Sequence, residues 1–291
     1  MAVLQKHLTR EVLNDFDLRD RRLMLSLGPL SPKKYCSFSC PFCYLHSNDF
    51  PSYISMPVSG IINWICKQTE PFDIVYVSGD TDSFAPPRTA QGIQLLEELT
   101  KFKVDILFTT RSLFDNLHLE LLAHIQQIQS RNKKMLIGCV SISQLHHPRI
   151  EPKPIPSPEQ RIEQLRRFKS MNIVSVLALR PFLPIVPLEE YIEIVTYAKD
   201  FVDVVLGSNW FADQDGILES KIFRDEKSNK FVVNNEKMDF YNSNATWRVY
   251  KSETIEKEVK KYCDSNNLPF FMRSTPAIRW LQTEWHNPSA E

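Results

Sequence analysis

Six short apolar runs rich in β-branched residues alternate along the chain with five stretches of helical periodicity. The strand-like runs are Leu23–Leu27, Ile74–Ser78, Val104–Thr109, Leu136–Ser143, Val174–Leu179 and Val202–Leu206; the helical ones are Gly60–Lys67, Thr89–Lys101, Leu117–Gln129, Ser157–Met171 and Pro187–Lys199. Such alternation is the pattern of parallel strands joined by crossover helices. The fourth helix is the best delimited: Ser157 caps it, Pro158 suits its first turn, Gln160 completes a capping box, and Ile162, Leu165 and Phe168 make an apolar face. Successive right-handed βα units close into a barrel or remain an open doubly wound sheet. No Gly-rich phosphate loop follows the first strand to favour the open form, and the whole chain holds 7 glycines.

At 291 residues the chain is near the ceiling for a single compact core, so one large domain with an extension is expected. The divisions read from the pattern are an N-terminal segment (1–22), the βα region (23–212) and a C-terminal extension (213–291) covering the mouth of that region. In the extension the alternation gives way to a polar stretch, a helix near Ser252–Asn266 and the short apolar run Pro269–Met272. Lys+Arg and Asp+Glu balance at 35 each, which gives no support to a nucleic-acid partner held by charge. No apolar run approaches the roughly 20 residues that span a bilayer, and the first residues carry charges where a signal peptide needs an apolar centre. The expectation is a cytoplasmic protein with no membrane partner.

Six cysteines without a secretion signal do not read as a disulfide framework, and three of them crowd into Cys36-Ser-Phe-Ser-Cys40-Pro-Phe-Cys43. This loop follows the first strand, at the end where βα folds place their chemistry. Three thiolates are one short of a closed tetrahedral zinc site, and Cys66, Cys139 and Cys263 lie far off in sequence without a second Cys-x2-Cys pair. A cubane 4Fe-4S cluster held by three thiolates leaves one iron open to an exogenous ligand.

With its C-x3-C-x2-C loop after the first strand and an aromatic residue, Phe42, immediately before the third cysteine, the sequence resembles the radical S-adenosylmethionine (SAM) superfamily. The resemblance covers roughly residues 20–212 and implies an α/β fold, a six-stranded partial (βα)6 TIM-like barrel with the extension appended. It further implies one 4Fe-4S cluster on Cys36, Cys40 and Cys43, whose open iron chelates SAM; one electron cleaves the sulfonium to a 5′-deoxyadenosyl radical, which abstracts a substrate hydrogen. Phe42 and Tyr44 would then lie beside the cofactor. The second strand ends Ser78-Gly79-Asp80-Thr81-Asp82, where the family carries a Gly-Gly-Glu-like motif for the SAM amino group, and the wording Gly79–Phe84 is similar to the spore-photoproduct-lyase-like branch. On the fourth strand, period two puts Cys139, Ser141 and Ser143 on one face and Val140 and Ile142 on the other. The hydroxyl face is expected inside the barrel, where the family uses polar residues for the SAM carboxylate or ribose; Arg161 and Arg180 are candidates for the carboxylate.

Each candidate has a plainer alternative. The aspartates at the second strand end serve equally as loop caps, the serines as partners of barrel backbone, and Cys139 as a small buried hydrophobe in place of a hydrogen-atom donor. The expected enzyme acts on a small-molecule, nucleotide or peptide substrate and takes its electron from a donor such as flavodoxin or ferredoxin. The alternatives are a nucleic-acid lesion lyase or modifying enzyme and, in another class, a catalytically silent metal- or SAM-binding interaction protein.

Overall fold

The computed structural model describes residues 21–27, 36–47, 57–69, 71–223, 231–237 and 246–286. Nearly all of the N-terminal segment lies outside these. Seven parallel strands form one curled sheet in the order β1 (Arg22–Leu25), β2 (Ile74–Val77), β3 (Asp105–Thr110), β4 (Leu136–Ser141), β5 (Val174–Leu179), β6 (Val204–Gly207) and β10 (Phe270–Phe271). The two edge strands do not pair with each other, so the sheet is a partial barrel. The expected strands are all present, and β10 makes a seventh where six were expected. Two residues are too few to show a period in sequence; β10 is fixed by pairing with β6, through Phe270 beside Val205 and Phe271 beside Leu206.

The crossover helices are α1 (Val58–Ile65), α2 (Thr89–Leu99), α3 (Asn116–Arg131), α4 (Pro158–Ser170) and α5 (Leu188–Ala198). Helix α4 begins as its sequence dictates: the Ser157 hydroxyl accepts from the Gln160 amide and the Gln160 side chain accepts from the Ser157 amide. The helices cover the outer face, where Val75, Val77, Ile106, Phe108, Val140, Ile142, Leu177 and Leu179 join the main apolar core. Gly138 admits close packing there, because a Cβ would sit 2.6 Å from the Phe168 ring.

Beyond β6 the chain adds β7 (Trp210–Ala212), α6 (Ile217–Phe223), β8 (Val232–Lys237), β9 (Thr246–Lys251), α7 (Glu253–Ser265) and α8 (Ser274–His286). Strands β7, β9 and β8 form a separate antiparallel sheet in that order. Helix α8 packs Ala277, Ile278 and Leu281 into the hollow of the barrel against Ile74, Leu107, Ile137 and Val204. Arg279 pairs with Asp73 at 3.0 Å, Gln282 donates to Asp105 and Arg22 donates to Thr275, so α8 closes the end of the barrel where the strands begin. Among the described residues no helix is long and apolar enough to cross a membrane.

Candidate active site at the carboxyl ends of the strands

The strand register sorts the inner face into layers. Met24, Tyr76, Leu107, Ile137 and Val174 form an apolar layer near the α8 end. One step up, Thr109 and Cys139 lie side by side, next to Val176 and Val204. At the carboxyl ends come Ser141, Ser143, Arg111 and Arg180, so polarity rises toward the mouth. A polar cup over a dry floor is the βα-barrel arrangement for chemistry.

The cysteine loop crosses this mouth. The Cys43 amide donates to the Cys40 carbonyl at 3.0 Å and the His46 amide to the Cys43 carbonyl at 3.0 Å, turning the chain into a short 3-10 helix at Tyr44–His46. All three thiols are free; Cys40 is buried, Cys36 and Cys43 half-buried. Burial pushes Cys36 and Cys40 up and Cys43 up to about 12; amides of Asp82 and Phe38 donate to the Cys36 sulfur, and that of Leu45 to Cys43. Dry thiols at these positions are poor thiolates unless a cation sits among them. Among the described residues no three His, Cys, Asp or Glu side chains converge on one metal ion.

After β2 the chain turns sharply at Ser78, whose φ of 66° lies in the left-handed region where glycine is usual. Its hydroxyl accepts from the Ser83 amide at 2.9 Å. Gly79 is crowded for a different reason: a Cβ there would meet the Met24 sulfur at 2.4 Å, so the Met24 side chain would have to shift. The three polar residues that follow have distinct surroundings. Thr81 is buried and its hydroxyl bonds the Ser26 hydroxyl. Asp82 accepts from the amides of Phe84 (3.0 Å) and Arg111 (2.7 Å) and from the Thr110 hydroxyl (3.0 Å), tying this turn to the end of β3. Burial pushes its pKa up against those donors. Asp80 is half-buried, accepts from the Thr81 amide at 2.6 Å, and lies within electrostatic reach of Cys43.

Ser141 and Ser143 both face the barrel interior and both donate to the Arg180 carbonyl. The Arg180 guanidinium donates to the Gly207 carbonyl at 3.1 Å. Arg161 is fully buried and reaches from α4 to Glu151 in a two-pronged pair at 3.0 and 2.5 Å and to the Ser141 carbonyl. Burial alone would raise the Glu151 carboxyl, but Arg161 and then Arg111 hold it down to about 2. Cys139 is fully buried on the inner face and is hydrogen-bonded to Thr109, which also bonds the Tyr76 hydroxyl at 3.0 Å; burial pushes this thiol up as well.

Two residues of this network, Arg111 and Glu151, escaped the sequence reading. Arg111 directly follows the Thr109-Thr110 end of β3, and a charged residue at a strand's carboxyl end is the signal that marks it. Glu151 stands in the proline-rich connector Glu151–Pro158, where nothing local announces burial. The loop residues are held from both sides: the Arg111 guanidinium lies over the Phe42 ring at 5.4 Å, and the Trp210 indole donates to the Phe42 carbonyl at 2.9 Å. Tyr44 meets Trp247 edge-on at 6.3 Å, so the segment after β6 touches the cysteine loop at two points.

No family model and no curated protein matches this sequence. Solved structures do resemble it in fold. SuiB of Streptococcus suis bound to the precursor peptide SuiA superposes with a TM-score of 0.56 at 16% identity, covering 94% of this chain and 51% of SuiB. The same protein bound to S-adenosylmethionine gives 0.53 at 16% identity, covering 94% and 55%. A spore photoproduct lyase mutant with bound AdoMet and dinucleoside spore photoproduct gives 0.57 at 12% identity, covering 91% of this chain and 87% of the lyase. This chain thus spans about half of SuiB and most of the lyase. The chain therefore shares its fold, a parallel partial barrel with the cysteine loop at the carboxyl end of β1, with SuiB and the spore photoproduct lyase.

Proposed function

We propose that this protein is a radical SAM enzyme. The observation that carries the reading is the presentation of three free thiols by one turn of chain at the polar mouth of a parallel partial barrel. Cys36, Cys40 and Cys43 would hold a 4Fe-4S cluster, and the amide donors at Cys36 and Cys43 suit sulfur ligands bearing negative charge. The chemistry such a cluster supplies when bound is one electron to the sulfonium of SAM, giving methionine and a 5′-deoxyadenosyl radical that takes a hydrogen atom from substrate.

The chain's own residues then bind and orient. Asp80 receives the SAM ammonium, and Ser78 and Gly79 shape the turn that presents it. Thr81 and Asp82 brace that turn through Ser26 and the end of β3. Ser141, Ser143 and Arg180 border the same mouth and face the cofactor's carboxylate and ribose; Phe42 and Tyr44 wall it on the side of the cysteine loop. Arg161 serves this site through Glu151 rather than by contact. Cys139 packs the floor. The substrate is a peptide, nucleotide or other small molecule, in keeping with the peptide on SuiB and the dinucleoside on the lyase. The electron comes from a reducing partner such as flavodoxin or ferredoxin, in the cytoplasm, where the thiols stay reduced.

A second reading, a nucleic-acid lesion lyase or modifying enzyme, draws on the lyase likeness over 87% of that chain. Strongly salt-dependent binding of DNA or RNA would favour it. The primary test is anaerobic reconstitution with iron and sulfide, then incubation with SAM and dithionite. Formation of 5′-deoxyadenosine is the expected result; an assembled cluster that never cleaves SAM would make the protein a silent binding module.

A further inference from the structure

Arg111 is a cation built into the cysteine loop's surroundings. Its guanidinium lies 5.4 Å from the centre of the Phe42 ring, between Cys40 and Cys43 in sequence. Nε donates to Glu151 at 3.1 Å, one terminal nitrogen donates to the Arg180 carbonyl at 2.8 Å and to Ser143 at 3.3 Å, and the backbone amide is held by Asp82. Bonds from three directions fix the plane of a side chain that is only 19% exposed. Glu151 is fully buried and is locked in turn by Arg161, so the position of the counter-charge is fixed too.

We propose that Arg111 is a positioning residue that holds Phe42 against the cysteine loop and raises the reduction potential of the cluster bound there, with Glu151 as the opposing charge that limits the effect. This rests on the cluster reading above. The step being tuned is uptake of one electron by the oxidised cluster from an external reductant; no bond forms or breaks, and the guanidinium keeps its protons throughout. A cluster on three thiolates gains negative charge on reduction, so a fixed cation in a partly dry site favours the reduced form and a fixed anion disfavours it.

The test is a dithionite redox titration of the reconstituted full chain, followed by the cluster's EPR signal without SAM or substrate, on wild type, Arg111→Gln, Arg111→Lys and Glu151→Gln. Iron content and circular dichroism are checked first. At a fixed potential the reduced-to-oxidised ratio should fall about tenfold in Arg111→Gln, equivalent to roughly 59 mV for one electron. It should stay nearer wild type in Arg111→Lys, which keeps the charge, and rise in Glu151→Gln. A structural role alone gives no such opposition of sign. Equal potentials in Arg111→Gln and wild type, or shifts of the same sign in Arg111→Gln and Glu151→Gln, overturn the assignment. If Arg111→Gln fails to hold a cluster, Glu151→Gln decides, and a potential there at or below wild type overturns it. A wild-type protein without the EPR signal overturns the cluster reading and this assignment together, whereas a wild-type signal with unmoved potentials overturns this assignment alone.

Discussion

Asp80 and Asp82 stand two residues apart on one turn, yet removing them should have opposite consequences. The Asp82 carboxylate accepts from the amides of Phe84 and Arg111 and from the Thr110 hydroxyl. In Asp82→Ala the two amides lose their acceptor where water does not readily replace it, and each buried unsatisfied donor costs about 1–3 kcal/mol. The Thr110 hydroxyl also accepts from the Ser112 amide and is free to rotate, so its loss adds little. The sum is about 4 kcal/mol, a large part of the stability of an ordinary domain. Asp82→Asn keeps one carbonyl oxygen and should lose about half as much, ~2 kcal/mol. Asp80 accepts from the Thr81 amide and is half-buried at the mouth, where water can replace a lost acceptor; its replacement by Ala should cost less than about 1 kcal/mol by urea midpoint. What Asp80→Ala should lose is SAM affinity, by roughly one to two decades, the worth of a charge-assisted hydrogen bond to an ammonium. Urea unfolding of the unreconstituted chains reads the first effect and calorimetric SAM titration of the reconstituted ones reads the second. Asp82→Ala unfolding at the wild-type midpoint, or Asp80→Ala binding SAM with wild-type affinity, would refute the division of labour.

Cys40→Ala should abolish 5′-deoxyadenosine formation, and wild type should assemble one cluster with about four irons per chain; about eight irons would refute the single-cluster reading. Glu151 is held from 4.5 down to about 2, burial opposing and Arg161 and Arg111 prevailing. A depressed carboxylate stabilises the fold above its unfolded pKa and loses that contribution as pH falls through the folded one, so wild type should lose about 3 kcal/mol relative to Glu151→Gln between pH 4.5 and about 2. Parallel pH profiles in urea would contradict this. Gly138→Ala would set a Cβ 2.6 and 2.7 Å from two carbons of the Phe168 ring and 3.2 Å from Phe108, which should lower stability by about 1–3 kcal/mol in the same assay; an unchanged midpoint would mean that α4 moves freely. Cys139→Ala should cost about 1 kcal/mol and leave both 5′-deoxyadenosine and the final product unaltered, while a diverted product at an undiminished rate of SAM cleavage would identify the thiol as a hydrogen-atom donor.

What was legible in the sequence is what rests on local periodicity or local spacing. The six strands and the capped start of α4 follow from residues a few positions apart, and the facing of Cys139 and Ser141 against Val140 follows from period two on β4, carried two residues past its end to Ile142 and Ser143. The cysteine triplet is likewise local. Contacts across long separations were not legible: Arg111 and Glu151 are 40 residues apart, and Trp210 reaches Phe42 across 168. The roles of Ser141 and Ser143 depend on a carbonyl that neither neighbours in sequence, that of Arg180. Ser78 shows a further limit, because a serine reads as an ordinary strand-end residue until its φ of 66° reveals a glycine-like conformation.

The segment after β6 has a physical reason in the barrel itself. A partial barrel of seven strands leaves its inner face open, and here the lower layers of that face are apolar: Met24, Ile74, Leu107, Ile137, Val174 and Val204. Left uncovered, these side chains would form an exposed patch larger than a monomer usually carries. Helix α8 supplies the cover with Ala277, Ile278 and Leu281, fixed at its polar edge by Arg279–Asp73. At the opposite end β7 places Trp210 on the Phe42 carbonyl, and Trp210 itself packs at a tilt against Tyr250 of β9, ring centres 4.8 Å apart. The segment after β6 therefore completes the barrel's dry floor and holds the loop at its polar rim. That is why the alternation of strands and helices fades at this point in the sequence: the remaining chain is shaped by the two surfaces it must fit, not by a period of its own.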